Sequence, residues 1–71
     1  MSEISVPTIG SLWEFNYKLY SYTYSYIALV VSYEHEKESD TTFYICLTNA
    51  SFSRIMRKTI LYFKFGNKIA E

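Results

Sequence analysis

The residues most able to do chemistry form one acidic cluster in the middle of the chain, Glu34-His35-Glu36, with Glu38 and Asp40 close behind. Imidazole and carboxylate groups are ligands for divalent metals. In a strand, however, Glu34 and Glu36 point to one side and His35 to the other. No glycine is present in this segment to help it curl around an ion, as calcium-binding loops do. The sequence therefore predicts a solvated hairpin tip and no metal site.

Cys46 is the only cysteine and the second candidate for chemistry. It lies between Ile45 and Leu47, where a thiol behaves as a small buried hydrophobe rather than a reactive thiolate. His35 is the only possible imidazole base, and the sequence has no glycine-flanked serine elbow, no phosphate-binding glycine loop and no histidine pair at helical spacing. We therefore predict that the protein is not an enzyme and uses no cofactor, so that alanine at His35 or Cys46 leaves its function unchanged.

The most unusual feature is a row of four tyrosines, Tyr20, Tyr22, Tyr24 and Tyr26, at every second position. In a strand these rings share one side and repeat every ~6.6–7 Å. Such a row suits a protein interface, because tyrosine gives a large contact area at low entropic cost. It also suits base stacking on single-stranded nucleic acid, or simple cross-strand packing. We assign the four tyrosines to a partner-binding face.

Charge is balanced over the 71 residues but not along the chain. Residues 1–50 contain two basic and six acidic side chains (−4), and residues 51–71 contain five basic and one acidic side chain (+4). Such asymmetry can steer association with a charged partner. We assign Arg54, Arg57 and Lys58 to the partner-binding surface, where they would meet an acidic protein. The alternative is that the two halves neutralise each other within the chain or across a dimer.

Residues 11–34 alternate in character with a period of two, which is typical of β-strands. One strand of that length would be exceptional, so a turn or bend must interrupt it. An odd-numbered loop near Ser21-Tyr22-Thr23 would keep both apolar stretches on one face of the sheet. Because this loop contains no glycine or asparagine, one long bulged strand remains the alternative.

A polar segment, residues 34–40, is the right length for a hairpin loop. The β-branched and aromatic segment 41–47 that follows is predicted to be a strand. Alternation places Phe43, Ile45 and Leu47 together on one face of that strand.

The period then changes to that of a helix. Asn49 or Ser51 could cap it, and Gly66-Asn67 would end it. The apolar stripe is formed by Phe52, Ile55, Met56, Thr59, Ile60 and Phe63. The alternative is a short helix to Lys58 followed by a strand over residues 60–65.

Together these elements predict an α+β fold, in which a small antiparallel β-meander of two or three strands packs against one C-terminal amphipathic helix. Residues 1–71 form a single domain, with residues 1–10 as an N-terminal arm. A chain this short buries only ~60% of its unfolded surface. For that reason, and because its aromatic surface is too large for one helix to cover, we predict that it forms a homo-oligomer.

No basic and apolar leader opens the sequence, and its longest apolar run, residues 27–31, is far short of the ~20 residues that span a bilayer. We therefore predict a cytoplasmic protein without a membrane partner.

These observations favour a small non-enzymatic module that masks a surface of a larger protein, by analogy with the stoichiometric inhibitors of host proteins that viruses and mobile elements encode. The alternative is a module that binds single-stranded nucleic acid through tyrosine stacking and a basic helix. Salt dependence separates the two, because binding driven by phosphate contacts weakens steeply with salt. A third possibility is a purely structural subunit of a homo-oligomer.

Overall fold

The computed structural model describes residues 6–51 and 53–71 and contains one five-stranded antiparallel sheet. In chain order the elements are β1 (Leu12–Leu19), β2 (Tyr22–Glu36), β3 (Thr41–Thr48), β4 (Ile55–Thr59), α1 (Ile60–Phe63) and β5 (Asn67–Ala70). Across the sheet the order is β4-β3-β2-β1-β5. The first four strands form a meander, and β5 returns to the free side of β1.

A two-residue turn, Tyr20-Ser21, joins β1 to β2 and pairs Leu19 with Tyr22. Tyr20 adopts a left-handed conformation with φ of 58°, which makes the tight turn without glycine or asparagine. The predicted extended conformation of residues 11–34 is confirmed apart from this turn. The predicted odd-numbered loop is wrong, and so is the alternative of one continuous strand. An even loop places odd-numbered residues of β1 and even-numbered residues of β2 on the same face.

A bulge at Val31 reverses this parity within β2. Val30 pairs with Cys46, but the next pair is Ser32 with Ile45, so β2 carries one extra residue at this point. Beyond the bulge, Tyr33 lies opposite Tyr44 on the face that carries Val30 and Cys46. One long strand therefore supplies even-numbered residues to this face before the bulge and odd-numbered residues after it.

One face of the sheet, called here the covered face, carries the core. The buried apolar residues are Trp13, Phe15, Tyr26, Ala28, Val30, Cys46, Ala50, Met56 and Phe63. The ring of Phe63, from α1, packs edge-on against Trp13 at 5.1 Å and against Phe15 at 5.6 Å between ring centroids. The Trp13 indole Nε1 donates to the Ser11 hydroxyl at 2.9 Å, so its burial leaves no unsatisfied donor.

The opposite face, called here the open face, lacks a covering helix in the part of the chain that the structure describes. Its side chains alternate with those of the core along each strand. They include Leu12, Glu14, Ile27, Leu29, Phe43, Ile45, Leu47, Ile55 and Arg57. The prediction that Phe43, Ile45 and Leu47 share one face is confirmed, as is the strand over residues 41–47.

The predicted fold class, a meander of two or three strands packed against one long helix, is wrong, because the sheet has five strands and the only helix of the described residues has four residues. The difference arises in the last third of the chain, which forms β4, α1 and β5 in place of the expected helix. The side-chain pattern of residues 55–59 fits a strand as well as a helix. When Ile55–Thr59 is extended, Met56 points into the core beside Cys46. Extended pairing also satisfies the backbone of β3, which a helix laid across the sheet could not do. The alternative of a short helix followed by a strand is also wrong, because the strand precedes the helix.

The residues expected to cap that helix have other roles. The Asn49 side-chain oxygen accepts a hydrogen bond from the Ile27 amide at 2.8 Å, at the point where β2 leaves its partner β3. Gly66 lies against the Phe15 ring, and a Cβ at Gly66 would overlap it. Ser51 lies in a bend, and Phe52 lies outside the described residues.

The C-terminal part of the predicted N-terminal arm is tied to the sheet. The Gly10 amide donates to the Val30 carbonyl at 2.7 Å, and the Val30 amide donates to the Ser11 carbonyl at 3.0 Å. Pro7 is buried. Residues 1–5 of the arm lie outside the described residues.

We predict that Phe63→Ala destabilises the protein by about 3–5 kcal/mol, the usual cost of removing a buried phenyl ring. That is comparable with the whole stability of a domain of this size. Phe65→Ala is the matched control, because Phe65 is exposed two residues away and its loss should cost less than about 0.5 kcal/mol. Urea unfolding followed by circular dichroism measures both. Equal losses would contradict the role assigned to Phe63.

We also predict that stability falls in mild alkali because of Cys46. Burial raises the pKa of its thiol from 9.0 to about 11. Since the folded state holds the proton more tightly, the stabilisation is complete below pH 9 and is lost as the pH rises towards 11. The free energy of unfolding should fall by about 1 kcal/mol between pH 8 and pH 10. Cys46→Ala should remove this part of the slope, and an unchanged slope would refute the prediction.

Candidate partner-binding surface

The hairpin of β1 and β2 extends beyond the rest of the sheet. β5 pairs with β1 over Leu12–Glu14, and β3 pairs with β2 from Ala28 onward. Residues 16–25 therefore continue as a two-stranded ribbon, called here the aromatic ribbon. A two-stranded ribbon is marginally stable by itself, so packing of its rings must help to hold it.

The four predicted tyrosines lie along this hairpin in a gradient of exposure. Tyr20 in the turn is 93% exposed, Tyr22 is 65% exposed, Tyr24 is 43% exposed, and Tyr26 is 4% exposed. Tyr22, Tyr24 and Tyr26 lie on the covered face of β2, whereas Tyr20 belongs to the turn. The surface available to a partner therefore contains the first three tyrosines, and Tyr26 lies in the core.

Tyr26 forms the floor of the surface. Its hydroxyl shares a hydrogen bond with the Tyr62 hydroxyl of α1 and lies 3.4 Å from the Met56 sulfur. Burial, reinforced by the bond to Tyr62, raises the pKa of Tyr26 well above that of an exposed phenol. Tyr26 stays neutral throughout the physiological range and links the ribbon to the helix.

A groove of about 470 Å³ lies between the aromatic ribbon and α1. Its lining residues are Tyr17, Leu19, Tyr26, Ser51 and Tyr62. The Tyr17 ring stacks on Tyr24, with 5.3 Å between ring centroids and 22° between planes. The groove wall is therefore mostly aromatic.

Sequence reasoning missed Tyr17, Leu19 and Tyr62 as members of this surface. Tyr17 pairs directly with Tyr24, and Leu19 with Tyr22, only because the turn has two residues. Their alternation was visible in the sequence, but the expected odd loop placed them on the wrong face. Tyr62 carried no separate signal, because it fell inside the helix that was expected to continue.

The three predicted basic residues do not gather beside the tyrosines. Arg57 lies on the open face, where it forms an ion pair with Glu34 and lies 3.6 Å from a Glu36 oxygen. The hydrogen bond to Glu34 raises the pKa of Arg57. Arg54 is exposed in the bend before β4. Lys58 contacts the aromatic surface, with its ammonium 4.7 Å from the Tyr62 ring centroid.

The Arg57 ion pairs also bear on the charge asymmetry along the sequence. They join the basic end of the sequence to the acidic middle, so the prediction that the two halves neutralise each other within the chain holds for this residue. The guanidinium also lies over the Phe43 ring at 3.6 Å, which anchors it further.

The acidic cluster forms the tip of the β2–β3 hairpin, at the opposite end of β2 from the aromatic ribbon. His35 contacts Thr42 Oγ1 through Nδ1 at 3.0 Å and Asp40 through Nε2 at 3.1 Å. Glu34 and Glu36 lie on the opposite face of the sheet from His35, beside Arg57. Among residues 6–51 and 53–71, no three acidic, histidine or cysteine side chains converge on a point that could hold a metal ion.

Within those same ranges, no helix has the length and apolar composition needed to cross a membrane. No family model, no curated protein and no solved structure matches this chain.

Proposed function

We propose that the protein is a non-enzymatic binding module whose aromatic ribbon docks on a larger protein. The single observation that carries the proposal is the projection of residues 16–25 beyond the sheet, with Tyr20, Tyr22 and Tyr24 exposed on it. Exposed rings that are held in place are the usual hot spots of protein interfaces, because little side-chain entropy remains to be lost on binding.

The groove beside the ribbon favours an apolar anchor from the partner. Its volume of about 470 Å³ is sufficient for one large side chain with its neighbours. The hydroxyls of Tyr26 and Tyr62 bond to each other, so the floor does not require a polar ligand. An aromatic or branched aliphatic side chain would bury the faces of Tyr17 and Leu19 that line the groove.

The charged side chains near the groove indicate which partner residues should flank that anchor. Lys58 lies beside Tyr62 at the groove, whereas Lys18, the only charged side chain within residues 16–25, lies on the open face of β1. The acidic tip lies at the far end of β2. A partner segment with an apolar anchor and an acidic residue that meets Lys58 is therefore complementary to this surface.

The same distribution disfavours single-stranded nucleic acid. Stacking proteins combine aromatic rings with cations that follow the phosphate backbone. Arg57 is on the other face and is already paired with carboxylates, so it cannot follow a phosphate backbone across the rings. Binding of single-stranded nucleic acid is an outcome that the experiment can detect.

A module of this kind acts stoichiometrically, by masking the surface on which it docks, as small inhibitors encoded by viruses and mobile elements do. We place it in the cytoplasm, because its one thiol is a buried free cysteine and a reducing compartment suits a fold without disulfides.

The test compares the double variant Tyr22→Ser/Tyr24→Ser with Tyr33→Ser. Tyr33 is the matched control, because it is 61% exposed on the same face but at the opposite tip of β2. The first step selects proteins that bind the wild type and the control but not the double variant. Each selected protein is then purified and titrated calorimetrically with the wild type and with both variants. We expect an equimolar complex, weakened by at least about tenfold in the double variant, with amide exchange slowed in residues 16–25.

Two outcomes would overturn the proposal. One is that no protein shows this pattern, or that its binding slows amide exchange elsewhere and not in the ribbon. The other is that an oligodeoxythymidylate binds through the same tyrosines with a steep logarithmic dependence on salt, which would identify a nucleic-acid module instead.

A further inference from the structure

The open face carries an aliphatic row that crosses four strands. Leu12 pairs with Leu29, Leu29 with Leu47, and Leu47 with Ile55, so the four side chains lie side by side. Leu47 is 49% exposed and Ile55 is 64% exposed.

Further apolar side chains flank this row on the same face. Ile27 lies opposite Glu14, and Ile45 lies opposite Arg57, which places both on the open side. Phe43 lies next to them along β3. These flanking residues are half-buried, and together with the exposed Leu47 and Ile55 they form a contiguous apolar face of the kind that marks an interaction site.

The accessible surface area of the molecule is larger than that expected for a compact monomer of the same mass. A monomer of this mass is expected to expose roughly 4,600 Å², whereas this chain exposes 5442 Å². The difference is ~800 Å², which is the area that each partner buries in a standard protein interface. The radius of gyration of 12.6 Å likewise exceeds the ~11 Å expected for a compact chain of this length. The projecting aromatic ribbon and a single-layer sheet with one bare face both contribute to these values.

We infer that the open face binds a second copy of this chain, so that two sheets pack face to face as a sandwich. The aliphatic row is self-complementary, as a two-fold interface requires, and two such faces pack about 10 Å apart with their rows interdigitated. This interface is independent of the proposed function, because the aromatic ribbon presents its rings on the other side of the sheet.

Charge fixes the relative direction of the two copies. On the open face, Lys18 lies towards the ribbon end. Towards the acidic tip, Glu34 and Glu36 share one cation, Arg57, so that this group of three keeps a net negative charge. A two-fold axis parallel to the aliphatic row sets the ribbon end of each copy over the acidic tip of the other. Lys18 then meets the carboxylates of the second copy, whereas an axis parallel to the strands would oppose like charges.

The experiment measures self-association by sedimentation velocity from about 1 to about 200 µM, together with the concentration dependence of the melting temperature. The wild type should be a dimer at the upper end of this range. Leu47→Lys/Ile55→Lys should weaken the dimer by at least about tenfold. Both residues are exposed, so circular dichroism should show the fold intact. Lys18→Glu should weaken it several-fold.

The matched control is Tyr22→Ser/Tyr24→Ser, which should dimerise like the wild type even if it loses every partner protein. The inference fails if the wild type is monomeric throughout, or if the Leu47→Lys/Ile55→Lys variant still dimerises like the wild type. A dimer that depends on the tyrosines would also overturn it. An unaffected Lys18→Glu dimer would overturn the direction assigned to the copies. Failure of the proposed function alone would leave dimerisation intact.

Discussion

The pairing of Leu19 with Tyr22 fixes the side of the sheet on which every side chain of the first hairpin lies. With a two-residue turn, Trp13 and Phe15 face the same side as those even-numbered residues of β2 that precede the bulge at Val31. That side becomes the aromatic core, and the odd-numbered aliphatic residues of β2 remain outside. A turn longer by one residue would exchange the two sets and place Ile27 and Leu29 under α1. The core, the aromatic ribbon and the aliphatic row all depend on this one register.

Sequence pattern predicted the elements that are long or strongly alternating. Residues 11–34 and 41–47 are extended as expected, because their alternation and β-branched content leave no competing structure. The C-terminal third was mispredicted, since positions 55, 56, 59, 60 and 63 fit a helical stripe and a strand followed by a turn equally well. Pairing with β3 decided between them, and that is a tertiary contact which local periodicity does not contain.

The candidate surface was predictable only in part, for the same reason. The tyrosine row pointed to the right hairpin, but which rings are exposed depends on where β3 begins to pair and on where α1 lies. Tyr26 is sealed by Tyr62, a contact between residues far apart in sequence. Arg57 and Lys58 were both assigned to one partner-binding surface, whereas adjacent residues of a strand point to opposite faces, so that only Lys58 shares the face of Tyr62.

The burial of Trp13 gives the molecule an optical reporter of its own. It is the only tryptophan in the chain, and its ring is enclosed by Phe15 and Phe63 with its indole nitrogen bonded to Ser11. Its fluorescence therefore responds to loosening of the aromatic core and is insulated by the sheet from events on the aliphatic side. Emission from unlabelled protein can thus distinguish unfolding of the aromatic core from binding events on the open face.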